Sequence, residues 1–157
     1  MNKKIFTISV VTLLLDQISK SVIDLYIKLD EVIKVFKGFY LTNLDNTGCA
    51  FSLLENKSYL LAIIGVVIIF ALISIIKDYK SNKLTNLSFG LLFGGILGNL
   101  SDRVFLGYVR DFIGVGSFPV FNFADMFICL GVACLILETF LERKKDDSNS
   151  RQKRKNR

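Results

Sequence analysis

The chain has 157 residues, 52% of them hydrophobic, a mean hydropathy of +0.48 and a net charge of +6 from 20 basic and 14 acidic side chains. One domain's length at that apolar content, with the charges segregated from the apolar runs, excludes an ordinary water-soluble fold and points to a membrane protein. There is no His, and Cys49, Cys129 and Cys134 form no CxxC pair, so a His-based catalytic triad is excluded and a metal centre lacks its usual ligands; neither metal nor cofactor is expected.

The first predicted element is a spanning helix over residues 5–25. It follows Lys3 and Lys4 as a cleavable leader would, but it lacks a small-residue cleavage pattern. It also contains Asp16 and Lys20, each costing about 2.5 to 3.5 kcal/mol at a helix centre, and is read as a permanent helix. The connection 26–58 holds VIKVFKGFYLT (residues 32–42), whose β-branched and aromatic content is strand-prone. Residues 59–76 run for 18 positions without a charge, long enough to cross the hydrocarbon. A third span, 84–100, carries Gly90, Gly94, Gly95 and Gly98, whose missing side chains permit close helix contact in lipid, and a fourth covers 121–141. Residues 1–141 then form a four-span domain and 142–157 a basic tail. The tail reads as a solvated anchor for anionic lipid rather than a nucleic-acid arm, having no aromatic residue for base stacking. Thirteen of the 20 basic residues lie before the first span, between the second and third, or after the fourth. The positive-inside rule therefore puts both termini in the cytoplasm and the connections 26–58 and 101–120 outside.

Depth follows from a rise of about 1.5 Å per helical residue, counted from the basic residue at each inner edge. On that scale Asp16 and Lys20 lie about 18 and 24 Å deep, Asn99 and Asp102 about 24 and 28 Å, and Asp125 about 27 Å. Three helices thus place polar and charged groups in the outer third of a layer about 30 Å thick. Such groups face a protein interior or a wet cavity, so one shared pocket opening outward is expected.

Each group also has an ordinary structural reading. Asp16 and Lys20 are an i, i+4 pair in the favourable order, with Lys20 extending to the headgroups. Asn122 and Asp125 have the spacing of an N-cap and an acid at N3. Asp102 and Arg103 can form an interfacial ion pair, with Asn99 one turn earlier facing Arg103. Asp111, in the loop RDFIGVG, is either an exposed acid neutralised by Arg110 or a member of the pocket.

Without His, metal or a Walker-type loop, paired carboxylates are the strongest acid and base available. Two that meet in a low-dielectric site cannot both ionise, so one keeps a proton while the other activates water. Asp111 and Asp125 are the candidates. A proton- or ion-coupled carrier is the alternative, because intramembrane carboxylates serve relays, although only Glu138 marks the inner half of a path. A Ser–Lys peptidase using Ser101 and Lys20 is a further one.

Four blocks in order, DQISK (16–20), NTGCAF (46–51), GNLSDRVFLGYVRDF (98–112) and FNFAD (121–125), closely resemble those of the lipoprotein signal peptidase family, also called signal peptidase II. The resemblance covers nearly the whole chain to Leu141 and omits the tail. It implies an aspartic endopeptidase of the bacterial plasma membrane, acting on prolipoproteins whose lipobox cysteine carries a diacylglyceryl group and cutting immediately N-terminal to that cysteine. The implied partners are those substrates and membrane lipid, without nucleic acid, and a monomer is expected. The implied fold is all-α and membrane-integral, four transmembrane helices with a small extracytoplasmic β-cradle and a short helix from the 26–58 connection. Asp111 and Asp125 match the catalytic pair. Asp16, Lys20, Asn46, Gly48, Ala50, Asn99, Asp102, Arg103, Asn122 and Ala124 match positions that support the pair or contact substrate. Arg110, where a small or β-branched residue is common, Met126, where a small hydroxyl residue is common, and Cys49, in place of another small residue, depart from the family pattern.

Overall fold

In lipid a backbone must satisfy its own hydrogen bonds, so uninterrupted apolar runs become helices. The computed structural model of the protein describes residues 2–48 and 56–155, with side chains as far as Lys145. Its helices are α1 (Lys3–Tyr26), α2 (Ser58–Ile75), α3 (Lys83–Phe105) and α4 (Phe123–Lys155), each long and apolar enough to cross a membrane. They coincide with the four expected spans, except that α3 runs on past residue 100 and α4 continues without a break into the basic tail.

Side-chain caps start two of the helices. Asn2 Oδ1 accepts from Ile5 N (2.9 Å) on α1, and Asn82 Oδ1 accepts from Thr85 N (2.9 Å) on α3. The same two residues clasp this end of the bundle. Asn2 Nδ2 donates to Ser81 Oγ (2.9 Å) and Asn86 Oδ1 (2.8 Å), and Asn82 Nδ2 donates to the buried Glu138 of α4.

Helix α3 is the centre of the bundle. Phe89, Leu92, Phe93 and Ile96 pack with Ile5 of α1 and Leu72 of α2. Its glycines act as the sequence predicts. A Cβ on Gly94 would lie 2.5 Å from Thr12 Cβ and 2.6 Å from Ser9 O of α1, and one on Gly95 would lie 2.6 Å from Ala124 O of α4. Helix α2 buries only Ser58, Ala62 and Leu72, with Ile69 packed partly buried against the core, and exposes most of its other apolar side chains, as a helix facing lipid does.

The expected label all-α is loose, since the small β element foreseen beside the four helices is a full sheet that draws one strand from a second connection. A three-stranded antiparallel sheet has the order β1 (Val32–Phe36), β2 (Phe39–Asn46), β3 (Val109–Val115). Strands β1 and β2 are the predicted strand-prone stretch, joined at Gly38, whose φ of +83° is strained for any other residue. Strand β3 comes from the connection between α3 and α4 and occupies the segment read as a loop. Val109, Asp111, Phe112, Ile113 and Gly114 are all buried, so no alternation of polar and apolar residues marks this strand. It pairs with β2 from Phe39↔Val115 to Asn46↔Val109, with a register shift between Leu41 and Leu44. Ile23 and Ile27 at the end of α1 pack on Phe112 and Ile113 and fasten the sheet to the bundle. The described part of the connection between α1 and α2 contains no helix; Cys49, Ala50 and the rest of 49–55 lie outside the described residues.

Gly94→Val is therefore expected to force α1 from α3 and to lower stability by about 1–3 kcal/mol, the range for overpacking. Gly65→Ala, whose added Cβ would lie 3.8 Å from Leu100 Cδ1, is expected to be nearly neutral. Thermal unfolding of the two variants in one detergent measures the difference.

Candidate active site

The charges that are expensive in lipid meet at one point. Lys20 is fully buried, with Nζ 2.8 Å from Asp16 Oδ2, 3.2 Å from Asp102 Oδ2 and 3.0 Å from Asn99 Oδ1. The i, i+4 pair is present, but Lys20 does not extend to the headgroups, because two carboxylates and an amide hold it inside. Asp16 has a second task. Its Oδ1 accepts from Ala124 N (2.9 Å) in the first turn of α4, where backbone donors lack helical partners.

Asp102 does not pair with Arg103 as expected. It receives Arg110, with Nη2 2.8 Å from Oδ1, Nε 3.2 Å from Oδ2 and the Arg110 backbone nitrogen 3.1 Å from Oδ2. Arg110 also donates to Asp24 Oδ2 (2.9 Å) and Gln17 Oε1 (3.0 Å). Arg103 donates instead to the Gly48 carbonyl (3.1 Å), and Asn99 turns to Lys20.

The reading of Asp111 as an exposed acid neutralised by Arg110 is overturned. Successive side chains of a strand point to opposite faces, and Asp111 faces inward at 2% exposure. Its Oδ2 accepts from Asn46 Nδ2 (2.7 Å) and its Oδ1 from Asn122 Nδ2 (2.6 Å). Asp125, in the first turn of α4, accepts from Asn99 Nδ2 (2.7 Å) and from the Asn122 backbone nitrogen (3.2 Å). In return Asn122 Oδ1 accepts from Asp125 N (3.0 Å), a reciprocal capping pair of the predicted spacing. Asn122 therefore caps α4 and also bridges the two acids, with a further bond to Asn99 Oδ1 (3.1 Å).

Burial, and next the facing Asp125 carboxylate, push the Asp111 carboxyl up to about 7, against the donors Asn46 and Asn122 that favour its charge. Both acids line a cavity of about 450 Å³. Asn46, Asn99 and Arg103 share its polar side, while Val109, Phe118, Val120, Phe121 and Met126 form much of the apolar side, beside the thiol of Cys129. Asn46 Oδ1 accepts from Gly48 N (2.9 Å), which turns the chain at the rim; Ala50 lies outside the described residues.

The structure thus joins Asp16, Lys20, Asn99, Asp102, Asn122, Ala124 and Asp125 with Asp111 and Asn46 in one hydrogen-bonded unit, to which Arg103 and Gly48 are attached at the rim. Gln17, Asp24 and the true partners of Arg110 were not expected. Asp16, Lys20 and Asp24 recur every four residues, a spacing that puts Asp24 on the same helix face. Gln17 carries no comparable signal. Lys20→Met would leave the carboxylates of Asp16 and Asp102 without their shared ammonium. A loss of about 3–5 kcal/mol is expected, the cost of breaking a buried pair from one side, read as a lowered unfolding temperature.

The family model described as Signal peptidase (SPase) II matches residues 8–141. The lipoprotein signal peptidase of Halothermothrix orenii is 37% identical over 144 residues, covering 91% of this chain and 99% of the relative. Two solved structures, both described as a bacterial membrane enzyme studied by the in meso method, share this fold. One, at 2.3 Å resolution, has a TM-score of 0.80 at 34% identity and covers 92% of this chain and 90% of its own. The other, at 1.9 Å, has a TM-score of 0.76 at 34% identity, covering 85% and 90%. The chain therefore belongs to the signal peptidase II family, aspartic peptidases that cleave the signal peptides of prolipoproteins.

Proposed function

We propose that Asp111 and Asp125 are the catalytic pair of this peptidase. One observation carries the reading: two carboxylates from different elements, a strand and a helix, open on one cavity and are bridged by one residue, Asn122, whose side-chain amide donates to Asp111 and whose backbone nitrogen donates to Asp125. Asp111 holds the shared proton near neutrality, and Asp125 takes a proton from water as that water attacks the scissile carbonyl. Asp111 gives its proton to the carbonyl oxygen. The tetrahedral adduct then collapses: the C–N bond breaks, the leaving nitrogen takes the proton held by Asp125, and one hydroxyl proton of the adduct returns to Asp111, so water is consumed, an acid and an amine are released and the pair is restored.

The supporting positions have separable tasks. Lys20, Asp16 and Asp102 hold α1, α3 and α4 at fixed spacing, while Asn99, Asn122 and Asn46 orient the acids. Gly48, Ala50, Arg103 and Ala124 are assigned to substrate contact or rim shape. The substrate is a prolipoprotein with a diacylglyceryl group on its lipobox cysteine, cut on the N-terminal side of that cysteine. A chain held by acyl groups in the outer leaflet presents its scissile bond near the level of the acids, and the apolar side of the cavity is chemically matched to it. The distribution of basic residues favours both termini in the cytoplasm, the acids at the extracytoplasmic side and residues 142–157 as a cytoplasmic tail on the 1–141 peptidase unit. A monomer contains every group that this reaction needs.

Asp111→Asn and Asp125→Asn are each expected to lower kcat on a diacylglyceryl-modified precursor by about 10²–10⁴-fold or more while the protein stays folded. A native rate in either variant overturns the pair. The pH dependence has a definite sign. A raised Asp111 value means the proton donor persists to neutrality and is lost as pH climbs, so kcat should fall as pH passes through about 7. A rate that instead increases across that point contradicts the assignment of Asp111 as donor.

A further inference from the structure

Arg110 precedes Asp111 in the chain, and none of the roles assigned above uses its guanidinium. That group touches three elements. It binds Asp102 of α3 through two nitrogens (2.8 and 3.2 Å) and reaches Asp24 (2.9 Å) and Gln17 (3.0 Å) of α1. Asp102 is also one of the two carboxylates on Lys20, and Lys20 in turn touches Asn99, which holds Asp125. A continuous path of charged and amide groups therefore joins Arg110 to both acids, from the face of β3 opposite to Asp111.

We propose that Arg110 is a positioning residue for the reaction: its two-point grip on Asp102 fixes the Asp111 strand against α3, and its charge shares Asp102 with the Lys20 ammonium, which also donates to Asn99, the residue that holds Asp125. The inference rests on the catalytic pair proposed above and adds to it a second cation, beyond Lys20, in the charged frame around that pair. Among the described residues, the other charged or titratable groups around the acids and Arg110 are Lys20, Asp16 and Asp24 from α1, Asp102 and Arg103 from α3, Tyr108 just before β3, the Cys129 thiol of α4, and Asp45 from β2, whose register partner is Arg110 itself. Removing the Arg110 charge makes the field at the acids more negative, which favours their protonated forms and moves the working range to higher pH. Removing the Asp24 charge acts in the opposite sense. A unit charge on the order of 10 Å away at an effective dielectric near 20 displaces a carboxyl titration by about one pH unit.

The test is the pH dependence of kcat and KM for purified full-length protein in one detergent, with a diacylglyceryl-modified precursor peptide as probe. Arg110→Val is expected to move both limbs of the kcat profile upward by about one pH unit and to lower kcat at the new optimum about tenfold, with KM unchanged within twofold. Arg110→Lys is expected to return the profile to its original position without restoring kcat in full, since an ammonium supplies the charge but not the planar two-point grip. Asp24→Asn, at a half-exposed position, is expected to give a smaller displacement toward lower pH. A profile that stays in place in Arg110→Val, or that moves the same way in Arg110→Val and Asp24→Asn, overturns the proposal, as does a kcat loss without displacement. If Arg110→Val does not fold, the direction of the Asp24→Asn displacement decides. Asp125→Asn, assayed alongside, reports separately on the catalytic pair, because failure of that reading shows as retained rate rather than as an unmoved profile.

Discussion

An ammonium group buried within the protein must be matched, and Lys20 is such a group. Its cost is met by groups drawn from two helices, Asp16 on its own helix and Asp102 and Asn99 on α3. Each of these partners has a second commitment. Asp16 accepts the backbone of α4, Asn99 donates to Asp125, and Asp102 receives Arg110 at the root of β3. The constraint on one cation is thereby passed to every element that carries an acid of the candidate site. Breaking it from either side leaves uncompensated charge, which is why this unit behaves as one interaction.

Close helix approach makes that matching geometrically possible. Hydrogen bonds of about 3 Å between side chains as short as Asp and Asn need backbones that nearly touch. Gly94 and Gly98 bring α3 onto α1, Gly95 brings it onto α4, and the acids of all three helices then fall within reach of one another. The far end is held by different chemistry, where the helix caps Asn2 and Asn82 turn their amide nitrogens across the bundle to Asn86, Ser81 and Glu138. Helix α2 joins neither polar cluster and supplies apolar surface.

Asn122 shows how a local motif and a site can share one residue. As a cap it satisfies the first turn of α4 through Asp125 N, which any helix-starting Asn does. As a bridge it sends its amide to Asp111, which requires β3 to arrive from the far side of α3. The two uses draw on different atoms, Oδ1 for the cap and Nδ2 for the bridge, so neither weakens the other.

Four long apolar helices, their bounds to within a few residues and the gathering of Asp16, Lys20, Asn99, Asp102 and Asp125 at one level of the bundle were all legible in the sequence, because apolar length and the 1.5 Å helical rise are local quantities. The capping relation of Asn122 and Asp125 and the close-contact glycines were legible for the same reason. The strand nature of residues 109–115 was not, since a strand buried on both faces has no alternating pattern and is defined by pairing with β2, some 65 residues earlier in the chain. The partner of each charge was not legible either. Asp102 neighbours Arg103 in sequence yet takes Lys20 and Arg110, because electrostatic pairing inside a bundle follows distance in space and the desolvation of each group, which tertiary packing alone decides.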